Sequence, residues 1–148
     1  MLITAALISL GIGLYLNVNG PGKISIRSAN GHTLVSHDDI IFVDWGTQTF
    51  QLNKTGIDKL IMASDARFQF CVDENVIYIG SIISPLVSSI PPGPLIYCSQ
   101  FSTDFTIEGS NPVEIQFFRG PLYTDKDPRF RHRIYTSLWA SGKLTNDG

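Results

Sequence analysis

The chain has little charge, and neither sign dominates. Acidic and basic side chains make up 16% of its 148 residues, and the formal net charge is −2. A typical soluble domain is about one-quarter charged, and a nucleic-acid-binding domain carries a clear basic excess. The composition therefore argues against a nucleic-acid partner. The 43% of hydrophobic residues is enough to build the core of one folded domain at this length.

Cysteine is also scarce. Cys71 and Cys98 are the only two, which is too few for a disulfide framework, and they lack metal-site spacing. Both fall in predicted strands among apolar neighbours, where free cysteines are commonly buried. Two buried thiols are the favoured interpretation, and a disulfide between adjacent strands, which requires an oxidising compartment, is the alternative. No metal or cofactor is expected.

The N-terminus is the most apolar part of the chain. Residues 1–16 contain no charged side chain, and their length matches a signal-peptide core but falls short of the roughly 20 residues that span a bilayer. Gly11 and Gly13 disfavour a buried helix here. We interpret residues 1–16 as a signal or membrane anchor, which places the remainder outside the cytoplasm, secreted or attached to a membrane. Residues 17–22, rich in Asn and Gly, form the linker.

Residues 23–148 are predicted to form a single domain around a β-hairpin. Phe68, Phe70 and Val72 alternate with less apolar residues, as in a half-buried strand. A turn at 73–75 then leads into a β-branched and aromatic return strand at 76–79. Further strands are predicted at 23–28, 40–45, 49–52, 95–99 and 113–118, with one helical turn at 36–39.

Two amphipathic helices accompany these strands. Asn53 is a good cap for a helix over 54–63, while Asp127 and Pro128 are typical of a helix start, with Gly142 ending that second helix. The predicted apolar stripes are Ile57, Leu60 and Ile61 in the first helix, and Phe130, Ile134 and Leu138 in the second. The expected fold class is α+β, with a mixed, mostly antiparallel sheet and two main helices packed on one face.

Two surface features are candidates for binding a partner. The proline- and serine-rich segment 84–94 can present a rigid, extended contact to a protein or peptide, although a plain crossing between two strands also explains it. The residues proposed for this contact are Ser84, Pro85, Leu86, Ile90, Pro91, Pro92, Gly93 and Pro94. A basic cluster of Arg129, Arg131 and Arg133 is a candidate for an anionic partner, with pairing to nearby acids as the simpler interpretation.

The sequence carries no clear catalytic signature. Cys71 or Cys98 with one of the histidines is the only combination that suggests a nucleophile, and inert core thiols explain both cysteines more simply. His37, Asp38 and Asp39 gather an imidazole and two carboxylates, but a helix cap accounts for them. A small Cys–His hydrolase therefore remains an alternative to a binding protein.

Short motifs in the middle of the chain follow one known pattern. The matching positions are Leu34, Asp39 and Ile40 before a strand pair, Leu52, Asn53, Gly56 and Lys59 around a helix start, Val72, Asp73 and Val76 at a turn, and Gly93 before a strand. On these positions, residues 34–97 resemble the head of the first periplasmic domain of the SecD/SecDF protein-export subunit. The chain departs from that family at Glu74, where the family has a turn glycine, and at Gly80, where it has a proline.

The resemblance implies a small extracytoplasmic α+β module that contacts other polypeptides. It brings no catalytic residues, and the membrane spans and proton-relay acids of the family have no counterpart in the matched region. Residues 100–148 form a C-terminal extension, ending in a helix, that the resemblance does not cover. We therefore expect a non-enzymatic, extracytoplasmic protein- or peptide-binding domain that is either secreted or membrane-anchored. An accessory subunit held to a membrane complex by its N-terminal segment is a further alternative.

Overall fold

A computed structural model describes residues 22–63, 66–84, 89–97, 110–120 and 126–145. The predicted leader at 1–16 and nearly all of the linker at 17–22 lie outside these residues. The strands are β1 (Ile24–Ser28), β2 (Thr33–Val35), β3 (Ile40–Asp44), β4 (Thr49–Asn53), β5 (Ala66–Val72), β6 (Asn75–Ile83), β7 (Gly93–Tyr97), β8 (Ser110–Glu114), β9 (Gln116–Phe118) and β10 (Leu144–Thr145). The α-helices are α1 (Lys54–Met62) and α2 (His132–Ala140), and single 3-10 turns occupy His37–Asp39 and Pro128–Phe130.

The strands form two sheets. A six-stranded large sheet has the order β2-β1-β5-β6-β7-β9, and a four-stranded small sheet has the order β10-β3-β4-β8. The pairs β6–β7 and β3–β10 are parallel, and the other pairs are antiparallel. The α+β class and the mixed, mostly antiparallel pairing are confirmed. The strands are divided between two sheets where the sequence pattern suggested one.

One hydrophobic core, formed by described residues of both sheets, joins the two sheets. Phe50 on β4 and Phe70 on β5 meet edge to face with ring centroids 5.8 Å apart, a preferred arrangement for aromatic pairs. Tyr78 on β6 stacks on Phe70 from the same sheet at 4.8 Å. Because Phe68, Phe70 and Val72 are all buried, the predicted central hairpin is confirmed, and its apolar face is the middle of the core.

The first predicted helix is confirmed, with one correction to its apolar stripe. Asn53 Oδ1 accepts a hydrogen bond from the Gly56 amide at 3.0 Å, which satisfies one of the free donors at the helix start. Ile57 and Leu60 are buried, but Ile61 is 43% exposed. The apolar stripe is therefore narrower than predicted, because Ile61 lies on a side of α1 that reaches solvent while Leu60 beside it stays in the core.

The second helix begins later than predicted. Asp127 caps a single 3-10 turn by accepting the Arg129 amide at 3.0 Å, and Arg131 then adopts an extended backbone conformation before α2 starts. Phe130 is thus outside the helix and exposed, whereas Ile134 and Leu138 are buried in the core as predicted.

The strand predicted over 113–118 is divided at Ile115. β8 pairs with β4 in the small sheet, and β9 pairs with β7 in the large sheet. Between them the amide of buried Ile115 donates to the Gln48 carbonyl at 3.0 Å, and its own carbonyl accepts from Arg129 Nη1 at 2.7 Å. Ile115 is therefore the point at which the chain passes from one sheet to the other.

Candidate functional site

Only part of the predicted proline-rich contact lies on the described surface. Pro85 and Leu86 fall outside the described residues, and Ser84 is half-buried directly after β6. Gly93 and Pro94 are buried members of β7, paired with Phe118 and Phe117 of β9. Their inclusion in a contact surface is therefore wrong, since the chain enters the sheet earlier than predicted. The members left at the surface are Ile90, Pro91 and Pro92.

An aromatic side chain from β9 joins this surface. Phe118 is 40% exposed. Its ring and the Pro92 ring each lie 3.4 Å from the position that a Cβ on Gly120 would occupy. We name Ile90, Pro92 and Phe118 the proline–phenylalanine patch. Sequence reasoning missed Phe118 because it assigned 113–118 to one strand and did not place its end beside the loop.

The predicted arginine cluster separates into one mostly buried and two exposed side chains. The Arg129 side chain is only 15% exposed and bonds Asp127 through Nη2 and Oδ2 at 2.7 Å. Its guanidinium also lies over the rings of Phe117 and Phe130, 5.6 Å and 5.3 Å from their centroids. The Arg129 guanidinium is therefore engaged by contacts within the domain and is unavailable to an anionic partner. Arg131 and Arg133 are exposed.

The thiol of Cys71 lies in an unreactive setting. It is buried and free of a disulfide, opposite Ser25 across the β1–β5 ladder. Burial raises the pKa of the Cys71 thiol, whereas nucleophilic cysteines have a lowered pKa. Cys98, the other predicted candidate, lies outside the described residues.

A charged cleft of about 350 Å³ lies beside the start of β1. Arg27 and Glu74 form an exposed ion pair on one side of it, with Nη1 and Oε2 3.1 Å apart, and the hydrogen bond from Arg27 lowers the pKa of Glu74. The remaining polar side chains that line the cleft are Lys23, Ser25, Thr33, Ser36, His37, Asp38 and Asp73.

His37 bonds the backbone at the edge of this cleft. Its Nδ1 accepts a hydrogen bond from the Ile24 amide at 3.0 Å. The predicted cap is confirmed for Asp39, whose Oδ2 accepts the Ser36 amide at 3.0 Å. The cap interpretation did not anticipate this contact of His37 with Ile24, because it joins the 3-10 turn to a strand residue 13 positions earlier in the chain.

Comparison with known proteins finds no match to any family model, curated protein or solved structure. Within the residues that the structure describes, no helix is long and apolar enough to cross a bilayer. The same part of the chain contains no group of three histidine, cysteine or acidic side chains arranged to hold a metal ion. The function of these surfaces must therefore be inferred from their own geometry.

Proposed function

We propose that this protein is a non-enzymatic, extracytoplasmic binding domain that contacts another polypeptide through the proline–phenylalanine patch. The observation that carries the proposal is the exposed Phe118 ring beside Pro92 at the end of the large sheet. Aromatic side chains dominate the energetics of protein interfaces, where they supply a large apolar area for few rotatable bonds.

Strand pairing and restricted φ angles hold the backbone on which the patch is built. Phe118 is paired with Gly93 at the end of the β7–β9 ladder, and proline at residue 92 fixes its own φ. Gly120 has φ +64°, a backbone conformation that favours glycine, and a Cβ there would contact both rings. Less conformational entropy is lost when a partner binds a surface that is held in this way.

Two predictions from the sequence support a polypeptide partner outside the cytoplasm. The apolar residues 1–16 are typical of a signal or anchor, and the SecDF-like motifs of residues 34–97 imply a module that contacts other chains. Neither line depends on Phe118, which lies outside both ranges. The raised pKa of Cys71 opposes the hydrolase alternative insofar as it depends on this thiol.

The proposal is tested by affinity capture from membrane extracts of the source cells, with the full chain as bait. The double variant Ile90→Ser/Phe118→Ser removes the apolar side chains of the patch. Met62→Ser/Trp139→Ser is the matched control, because Met62 is 87% and Trp139 65% exposed elsewhere on the surface.

We expect the patch variant to lose at least one partner that the wild type and the control both retain, at unchanged thermal stability. Identical partner sets for all three proteins would show that the patch is not the contact surface. If Met62→Ser/Trp139→Ser alone lost the partners, the contact would lie at the helix ends.

A further inference from the structure

The first described residues, 22–24, form hydrogen bonds to three other parts of the chain. We name them the lead segment, because they connect the predicted linker to β1. The bonds are Ser137 Oγ to the Gly22 carbonyl at 2.6 Å, the Lys23 amide to Asp73 Oδ1 at 2.9 Å, the Asp73 amide to the Lys23 carbonyl at 2.8 Å, and the Ile24 amide to His37 Nδ1 at 3.0 Å. The fold of the lead segment therefore depends on side chains from α2, the β5–β6 turn and the first 3-10 turn.

The bond to His37 exists in only one protonation state. An imidazole nitrogen that accepts a hydrogen bond has a free lone pair, so the neutral ring must carry its proton on Nε2. In the imidazolium form both nitrogens are donors. Nδ1–H would then point at the Ile24 N–H, and two donors cannot bond each other.

The charged groups near His37 come from four parts of the chain. The net effect of burial and of these groups is to oppose its protonation. Burial is the largest cause and lowers the pKa of His37 below its ordinary value near 6.5, and the ammonium of Lys143 is the next cause in the same direction. Lys23 acts in the same sense, whereas Asp38 and Asp73 raise the pKa and only partly offset these effects. Lys143 is held nearby because its Nζ donates to the Ile40 carbonyl at 2.5 Å.

We propose that His37 is a proton-sensitive latch on the start of β1: uptake of one proton breaks its bond to the Ile24 amide and loosens the lead segment. The residues of β1 beyond Ile24 remain paired with β5, and Ile26 and Arg27 also pair with β2, so the release is local. It occurs where the domain joins the segment that precedes it. Mild acid thus loosens the contact between residues 22–24 and the first 3-10 turn.

The direction of the pH dependence follows from linkage. In the closed state the bond between His37 and the Ile24 amide is made, and in the open state it is broken. Because the pKa of His37 is lower in the closed state, His37 stabilises that state fully at a pH above its ordinary pKa near 6.5. This stabilisation is lost as the pH falls through the lower pKa. Between the two pKa values, the free-energy difference between closed and open states falls by about 1.4 kcal/mol per pH unit, a factor of about ten in the opening equilibrium.

Amide hydrogen exchange of Ile24, measured by NMR on the full chain in detergent micelles, tests the latch. The His37 pKa is read from its ring signals in the same samples. We expect the Ile24 protection factor, corrected for the intrinsic exchange rate, to fall as the pH drops below about 6.5 and then to level off. The protection factor should fall in total by a factor of ten to the power n, where n is about 6.5 minus the measured His37 pKa.

Three variants separate His37 from the other titrating groups. In His37→Asn the side-chain oxygen accepts a hydrogen bond without titrating, so the pH step at Ile24 should vanish. His37→Ala should lower Ile24 protection at every pH. His132→Asn, at an exposed histidine on α2, should behave as the wild type. A pH step that persists in His37→Asn, or a His37 pKa at or above about 6.5, would overturn the proposal.

Discussion

The ring of Phe68 lies over Gly80, its partner across the β5–β6 ladder. A Cβ on residue 80 would be 2.4 Å from Phe68 Cζ and 2.6 Å from the carbonyl oxygen of Pro94. Glycine is therefore the residue that lets a buried aromatic ring and a neighbouring strand approach the centre of the large sheet. The packing explains why this nine-residue, largely β-branched strand carries a glycine near its middle.

Replacing Gly80 by alanine should destabilise the protein by about 1–3 kcal/mol, because the added methyl group overpacks a core that cannot expand. Urea unfolding should show a lower midpoint at an unchanged m-value. The double variant Phe68→Leu/Gly80→Ala should recover part of the loss relative to the sum of its single variants. Strict additivity would show that the ring does not restrict this position.

Replacing Ser137 by alanine should cost about 1–3 kcal/mol, because it leaves the buried Gly22 carbonyl without its donor. Both ends of this bond are buried, and the distance is 2.6 Å. Thr136→Ala is the matched control, since Thr136 is exposed on the same helix and should change stability by less than about 0.5 kcal/mol. Thermal or urea unfolding of the two variants measures the difference. Equal changes in stability for the two variants would show that the bond from Ser137 to the Gly22 carbonyl does not stabilise the fold.

Replacing Tyr78 by phenylalanine should raise stability by about 1 kcal/mol, because a buried hydroxyl without a partner is costly. The Tyr78 oxygen is buried and has no hydrogen-bond partner in the described part of the chain. Burial also raises the pKa of Tyr78 well above the ordinary tyrosine value, so the variant should leave the native alkaline absorbance titration unchanged. A loss of stability greater than about 1 kcal/mol would reveal a partner for the hydroxyl.

Replacing Arg129 by alanine should cost about 2 kcal/mol, because the side chain donates charged hydrogen bonds to the Ile115 carbonyl and to Asp127. Arg131→Ala and Arg133→Ala should each change stability by less than about 0.5 kcal/mol, since both side chains are exposed. Chemical denaturation of the three variants gives the comparison. A similar small loss of stability in all three variants would show that Arg129 does not stabilise the fold, and it would then remain a candidate for the anionic-partner cluster.

Local sequence patterns predicted the parts of the fold that depend on near neighbours. The alternation of Phe68, Phe70 and Val72 is a property of the strand itself, and the Asn53 cap requires only the next three residues. The division into two sheets is different. It depends on Ile115, whose carbonyl bonds Arg129 and whose amide bonds Gln48, and no local pattern contains those distant partners.

The candidate surfaces were harder to predict for the same reason. The proline-rich segment was found by composition, but Gly93 and Pro94 proved to be strand residues, and Phe118 reaches the patch only through the β7–β9 pairing. Likewise, His37 was explained by its neighbours Ser36 and Asp39, while its bond is to Ile24. Pairing between distant strands determines which side chains meet, and one sequence does not specify that pairing.

Site-specific photo-crosslinking from residue 118 tests the central claim most directly. The full chain, with a photoreactive amino acid in place of Phe118 and, in a second protein, of Trp139, is expressed in the source cells and irradiated. Both positions carry an exposed aromatic side chain, and only residue 118 belongs to the proline–phenylalanine patch. We predict a discrete crosslinked protein from position 118 and none from position 139. Crosslinking from position 139 alone, or the same products from both positions, would contradict a binding function for the patch.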